Sequence, residues 1–331
     1  MTAYVGIQGQ NILIVSSDPA NPIEGQIWYN STTNLLKGYA NVVTNAWASG
    51  GNLNTARDGN NNGSVGTQTA GLIAGGFVPT PGPSTYPTAT ELYNGTAWTN
   101  SPGNLTEGKA GGLSLGSQTS AVIAGGGSTV YSAGTQEWNG TSWSNKNNMN
   151  TQRGGRVAGY GTSTAGLGAG GYNSPGIGNS VATESWNGTS WATVNSLNTA
   201  RRAAGAAGIQ TAALYFGGTT APGNQTESWN GTSWSTVNTL NTGRDSLSGA
   251  GTQTLAIAFG GSPYRTNTEL WNGTSWTTNP NSMSSGRQTS SQSGNYTLAL
   301  VAGGRGTPGF AVATTEEWTA EAVQVRTITT S

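Results

Sequence analysis

The chain has 331 residues, of which only 8% are charged, with 13 basic and 13 acidic side chains and no net charge. A nucleic-acid partner needs a basic surface to neutralise phosphates, and this composition offers none. There is no Cys and no His, which removes disulfides, thiolate and imidazole metal sites, and Ser–His or Cys–His nucleophiles. No cofactor and no metal are expected.

The chain opens on Met1-Thr2-Ala3-Tyr4-Val5-Gly6, which lacks the basic and long apolar regions of a signal peptide. No apolar run reaches the length of about 18 residues that a membrane-spanning helix needs. Residues 1–46 read as an N-terminal β extension: a strand at Asn11–Val15, a turn at Asp18–Pro22, and a hairpin over Glu24–Lys37.

A repeat follows over residues 47–319. Gly-Gly pairs begin at Gly75, Gly125, Gly170, Gly217, Gly260 and Gly303. An aromatic follows each pair, at Tyr93, Trp138, Trp186, Trp229, Trp271 and Trp318. A second tryptophan series comprises Trp47, Trp98, Trp143, Trp191, Trp234 and Trp276. A period of about 45 residues marks an array of small sheets, most simply a β-propeller. Each copy reads as four strands, a to d. In the copy from Arg244, residues 244–251 form strand a, and Leu255–Phe259 form an apolar strand b. Thr268–Trp271 is strand c, and Asn272-Gly273 turns into a strand d carrying Trp276. Asn-Gly between strands predicts a type I′ hairpin. The series starts on a d-strand Trp and ends on a c-strand Trp. The fold class expected is therefore all-β: a six-bladed propeller of four-stranded blades, closed by pairing the strand of Trp47 with that of Trp318. Closure removes an open sheet edge. Residues 320–331 form a C-terminal β tail, in which Val323–Thr329 alternates like a strand that can pair with the N-terminal segment.

The glycine doublet after strand b, the aromatic on c and the Trp on d resemble Kelch repeats over the whole repeat region. Asn-Gly replaces the usual turn after the c-strand aromatic, which marks a divergent branch. The uniform Asn-Gly-Thr-Ser-Trp copies in a low-charge, Thr/Asn/Gly-rich chain resemble propellers encoded by bacteriophages, especially marine ones. The pattern Gly25-x-x-Trp28-Tyr29-Asn30-x-Thr32-Thr33-x-x-Leu36 looks like short β modules of phage tail and fibre proteins.

Two positions in the repeat carry charge. Glu91, Glu184, Glu227, Glu269 and Glu316 sit two residues before the c-strand aromatic. Arg57, Arg153, Arg201, Arg244 and Arg287 open strand a. The second copy departs at both places, with Lys109 and Gln136, and Glu137 alongside as a compensating acid. This coupled departure predicts a ring of semi-buried Arg–Glu pairs holding strand a to strand c. Such pairs fix register more than they add stability. Asn94, Asn139, Asn187, Asn230 and Asn272 match the Asn-x-Thr sequon, but the hairpin accounts for all five without modification.

The a–b turns and c–d hairpins are nearly uniform; the b–c and d–a loops, which share one face of a propeller, are not. Phe77–Pro87 is long and Pro-rich, Tyr172–Ser180 is Gly-rich, and Ser262–Arg265 is short. Diverse loops on a rigid scaffold are how binding surfaces are built. The candidate binding residues are Tyr86, Tyr131, Tyr172, Tyr264 and Phe310 as aromatic faces, with Arg265 and Arg305 as donors. An enzyme is disfavoured. Galactose-oxidase-like propellers need His and Cys. Sialidase-like and other glycosidase sites need acids placed together, and Asp58, Glu107, Glu137, Asp245 and Glu317 form no isolated pair in the sequence. The reading is a non-enzymatic phage virion protein (tail fibre, tail or neck, or capsid decoration). It would be oligomeric within a particle and held to other virion proteins through its termini, with its variable face toward a host-surface glycan, a receptor or another protein. The alternative is a bacterial surface or secreted lectin.

Overall fold

A computed structural model describes residues 12–23, 25–42, 45–58, 64–79, 85–128, 130–173, 178–320 and 322–327. Among them there is no helix, and the strands form nine sheets. The chain divides into two compact units, residues 1–45 with 320–331, and residues 46–319.

The smaller unit is one sheet, in the order Leu13–Val15, Ile27–Asn30, Leu35–Val42, Ala322–Thr327. The first pair is parallel and the others antiparallel. The expected hairpin and its C-terminal partner strand are both present; Asn11, Glu24, Ile328 and Thr329 lie outside the described residues. Asp18 organises the sheet. It accepts hydrogen bonds from Trp28 Nε1 (3.1 Å), Asn30 Nδ2 (2.8 Å) and Lys37 Nζ (2.6 Å). These bonds, the one from Lys37 foremost, pull its carboxyl down to about 2.

The larger unit contains six four-stranded antiparallel sheets with one pattern. The first is Val65–Gly66, Gly71–Ala74, Thr90–Tyr93 and Trp98–Asn100, and the second is Leu113–Gly116, Ala121–Ala124, Thr135–Trp138 and Trp143–Lys146. The third is Ala158–Gly161, Gly166–Ala169, Thr183–Trp186 and Trp191–Val194, and the fourth Gly205–Ile209, Ala212–Phe216, Thr226–Trp229 and Trp234–Val237. The fifth is Ser248–Gly251, Ala256–Phe259, Thr268–Trp271 and Trp276–Asn279. The sixth takes Ser291–Gly294, Leu298–Ala302 and Thr315–Thr319 from one end of the unit and Ala46–Gly50 from the other. There Trp318 stands opposite Trp47. Each inner strand touches those of its neighbours, and the strand of the sixth sheet touches that of the first. The architecture is all-β and of propeller type.

The cores lie between consecutive sheets. One cluster joins Tyr160 and Leu167 of the third sheet to Tyr215, Trp229 and Trp234 of the fourth. The c-strand tryptophans are 0–2% exposed. An aromatic of this size removes roughly 150–250 Å² from water, worth about 4–6 kcal/mol as an upper figure.

The indole N–H groups need acceptors once buried, and both series find them at fixed places. The d-strand indoles donate to the threonine that opens strand c of the preceding sheet: Trp98 to Thr315 (3.1 Å), Trp143 to Thr90 (2.9 Å), Trp191 to Thr135 (3.0 Å), Trp234 to Thr183 (3.1 Å), Trp276 to Thr226 (3.2 Å) and Trp47 to Thr268 (2.9 Å). The c-strand indoles donate to carbonyls of their own a–b turns, as Trp229 does to Gln210 (3.0 Å). Those turns also reach back to the preceding sheet. Gln68 Nε2 donates to the carbonyls of Ala299 and Trp318, and Gln118 Nε2 to those of Gly71 and Tyr93.

Two local expectations are corrected. The c–d hairpin is a four-residue loop, not a two-residue type I′ turn: Tyr93 pairs with Trp98, and the Asn94 N–H donates to the Ala97 carbonyl. Only the Gly has positive φ, as at Gly231 (92°). The Asn side chain does the turning, because its Oδ1 accepts two backbone N–H groups, as Asn230 does from Thr232 and Ser233. Strand a of the fifth sheet begins at Ser248 rather than Arg244, so the arginines lie ahead of strand a, within the d–a connection.

Candidate functional site

The repeated charges form five ion pairs. Arg57 meets Glu91 at 2.5 Å, Arg153 meets Glu184 at 3.2 Å, Arg201 meets Glu227 at 2.7 Å and Arg287 meets Glu316 at 2.5 Å; Arg244 pairs with Glu269. All ten side chains are at most 3% exposed. The expectation of semi-buried pairs is corrected to complete burial, and the strands joined are corrected too: the pair holds the d–a connection, not strand a, to strand c. Arg201 donates to the carbonyls of Gly217 and Gln225 (both 2.8 Å), so the guanidinium also ties down the Gly-Gly doublet. Glu227 accepts from the Asn198 N–H (2.7 Å) and Nδ2 (2.9 Å). Burial lowers the pKa of Arg153 to about 10 despite Glu184, and that of Arg57, Arg244 and Arg287 likewise falls. Each pair is thus a charge-compensated node with nearly every polar atom bonded. It is out of contact with solvent and unsuited to bind anything.

In the second sheet the arrangement differs. Lys109 is 1% exposed and donates to the Gly134 carbonyl at 3.1 Å. Gln136 Oε1 accepts the Thr106 N–H at 2.8 Å. Glu137 does not compensate there, because it pairs with Lys146 at 2.7 Å.

The variable face lies above these nodes. Residues 80–84 and 174–177 of its two longest loops fall outside the described residues. The aromatic residues form three groups instead of one pocket. Tyr86 packs edge-on to Phe77 with centroids 5.5 Å apart. Tyr131 packs edge-on to Tyr172 at 6.2 Å, and the Arg202 guanidinium lies 4.6 Å from the Tyr172 ring centre. The Tyr131 ring also lies against Gly154, where an added Cβ would stand 2.3 Å from a ring carbon. Tyr264 Oη lies 3.2 Å from where a Cβ on Gly309 would stand, and the neighbouring Phe310 is 68% exposed.

The two arginines are not both free donors. Arg265 Nε donates to the Ser262 carbonyl at 3.1 Å. Arg305 is committed to Asp58, with Nε at 2.7 Å and Nη2 at 2.6 Å. Asp58 is buried and also accepts from the Thr289 hydroxyl. This pair joins the first sheet's entry loop to the sixth sheet's b–c loop. Sequence reasoning set Asp58 aside as an isolated acid, since its partner is more than 240 positions away. It also missed Arg202 and Arg156. Arg156 adopts positive φ (71°) and donates across to the Leu247 carbonyl at 3.3 Å. Burial lowers its pKa to about 10 against the raising influence of Asp58 and Asp245.

The inner strands line a cavity of about 140 Å³. Its walls are small residues such as Gly159, Ala207, Gly208 and Gly249. Glycine is required where strands crowd: a Cβ on Gly249 would stand 2.3 Å from the Phe216 ring. A second cavity of about 260 Å³ lies beside Lys109. Among the described residues, no cluster of three acidic side chains could hold a metal.

No protein-family model matches the chain, and neither does any curated protein. Among solved structures 278 chains are similar, so the fold is widely used and names no activity by itself. One is the structure of YjhT, a propeller-type structure, with a TM-score of 0.65 and 14% identity, covering 82% of this chain and 99% of that one. At that identity the likeness is one of fold.

Proposed function

We propose that residues 46–319 are a closed, six-bladed, Kelch-like propeller. The chain is a non-enzymatic bacteriophage virion protein that presents the b–c and d–a loop face to a host surface or a protein partner. Ring closure is supported by the six Trp–Thr hydrogen bonds, which run from every sheet to the one before it and from the first to the sixth. The observation that carries the binding reading is the contrast between faces. The a–b turns and c–d hairpins repeat the same internal bonds, whereas the loop face displays unrepeated aromatic groups, Tyr131–Tyr172–Arg202 and Tyr264 beside Phe310. Rigid aromatics flanked by polar loops suit sugars and protein surfaces. The virion assignment rests on the resemblance of the repeats and of residues 25–36 to phage proteins.

The test is binding of the labelled full-length chain to bacterial surfaces and to a glycan array, with a Tyr264→Ala/Phe310→Ala variant beside it. Saturable binding that the variant loses, together with a folded spectrum, supports the reading. Binding that the variant retains, or none at all, overturns the proposed face. Cryo-electron microscopy of a particle containing the chain decides the virion role; capture of free sugars with no particle association would favour the lectin.

A further inference from the structure

We propose that the cavity beside Lys109 is a binding site for a small hydroxylated carboxylate, such as a sugar acid, with the ligand's carboxylate on the Lys109 ammonium. The argument starts from the sister sheets. In five of them a buried guanidinium meets a buried carboxylate, and the charges cancel in place. In the second sheet Lys109 keeps one of the guanidinium's bonds, to Gly134, which is the counterpart of the bond from Arg57 to Ala89. The shorter side chain and the neutral Gln136 leave the rest unfilled. Among the described residues no carboxylate lies within ion-pair distance of Lys109, and one of its three N–H groups meets a protein acceptor. A buried ammonium with no ion-pair partner is costly: burial lowers its pKa, and the more distant Glu107 carboxylate offsets this only in part.

The cavity of about 260 Å³ opens at this point, with Ser132, Gln136, Asn145, Asn148 and Glu107 also lining it. Most of these groups have donors to spare. Asn145 Oδ1 is occupied by the Thr106 hydroxyl (2.8 Å), which leaves its Nδ2 to donate. Ser132 Oγ accepts from the Gly134 N–H (2.9 Å), which leaves its O–H. Donors grouped around a cation favour a carboxylate, and the exposed Glu107 supplies an acceptor for ligand hydroxyls. None of the loop aromatics lines this cavity, although Ser132 follows Tyr131, and the proposal does not rest on the virion role.

The probe is sodium D-glucuronate, titrated into the full chain at constant ionic strength and followed by the backbone amide signals of Thr106 and Gly134. Glucose is the neutral control. Lys109→Arg/Gln136→Glu restores the pair of the sister sheets and fills the site. Lys109→Gln removes the charge at similar length and serves if the double variant does not fold. The expected result is saturable glucuronate binding, at least about tenfold weaker in either variant, and no saturation with glucose. Absence of saturation, equal binding by the folded variants, or glucose binding as tight as glucuronate would overturn the proposal.

Discussion

Glu227→Gln is the sharpest test of the buried nodes. Glu227 is 2% exposed and accepts three hydrogen bonds: from Arg201 Nη2 at 2.7 Å, and from the Asn198 N–H and Nδ2 at 2.7 and 2.9 Å. Glutamine keeps the volume and one acceptor, but turns an NH₂ toward groups that are themselves donors. It also leaves the Arg201 guanidinium charged and fully buried. Breaking a buried pair from one side costs about 3–5 kcal/mol. With an unfolding entropy of about 2.1 cal/mol/K per residue over residues 46–319, that corresponds to a fall of roughly 5–9 °C in Tm. The assay is thermal and urea unfolding of the full chain, read by Trp fluorescence. A control is built into the sequence: Arg201→Lys/Glu227→Gln copies the combination that the second sheet uses naturally. If the cost of the single change is the stranded guanidinium, the double variant recovers part of it, with a coupling energy of about 0.5–3 kcal/mol. A Glu227→Gln protein within about 0.5 kcal/mol of wild type, the range of an ordinary surface change, would refute the reasoning.

Thr183→Val keeps the shape of strand c but removes the acceptor of the Trp234 indole; unfolding should cost about 1–3 kcal/mol for the stranded N–H, with a changed Trp emission. Asn230→Ala removes the acceptor of two loop amides, and a loss of about 1 kcal/mol in urea unfolding separates this side-chain turn from a type I′ turn, in which the backbone alone would suffice. The Asp18 carboxyl is held at about 2 against an ordinary 3.8. A depressed acid contributes stability above its unfolded pKa and loses it as pH falls through the folded one. The Trp28 indole N–H signal should therefore hold steady at neutral pH and shift between about pH 4 and 2, and Asp18→Asn should abolish that transition.

The repeat was legible because the chain supplies its own comparison. Six Gly-Gly doublets and two tryptophan series locate the sheets without any relative, and the shared departure at Lys109 and Gln136 pointed to the Arg–Glu pairing. What escaped was whatever depends on the backbone or on distance along the chain. The arginines bind carbonyls, so nothing in their spacing told whether they sat in strand a or ahead of it. The type I′ expectation treated Asn-Gly as two backbone conformations, when Asn94 and its counterparts use their side chains as acceptors. The threonines opening every c strand, from Thr90 to Thr315, and the turn glutamines Gln68, Gln118, Gln210 and Gln253 were visible as repeats. Their partners lie in the preceding sheet, and a one-dimensional pattern does not name them. Asp58 and Arg305 are the extreme case, since Asp58 recurs only as Asp245 and Arg305 has no counterpart in the other copies.

These bonds explain how one face can vary while the scaffold stays fixed. The Trp–Thr bonds and turn glutamines join each sheet to its predecessor without using any residue of the b–c loops. The Arg–Glu nodes sit directly beneath those loops. The carboxylate holds the start of the d–a connection at Asn54, Asn150, Asn198, Asn241 and Ser284. The guanidinium holds the Gly-Gly doublet from which each b–c loop departs, as at Gly75 and Gly217. Both loop roots are thereby anchored by buried charge, and what lies between them is free to change in length and sequence at little cost to the sheets. In the second sheet Gln136 still holds the Thr106 N–H and Lys109 the Gly134 carbonyl, but no ion pair joins the two. There the buried cation has no ion-pair partner, and Glu107 acts on it only from a distance, so the unmade pair becomes the opening proposed for a ligand.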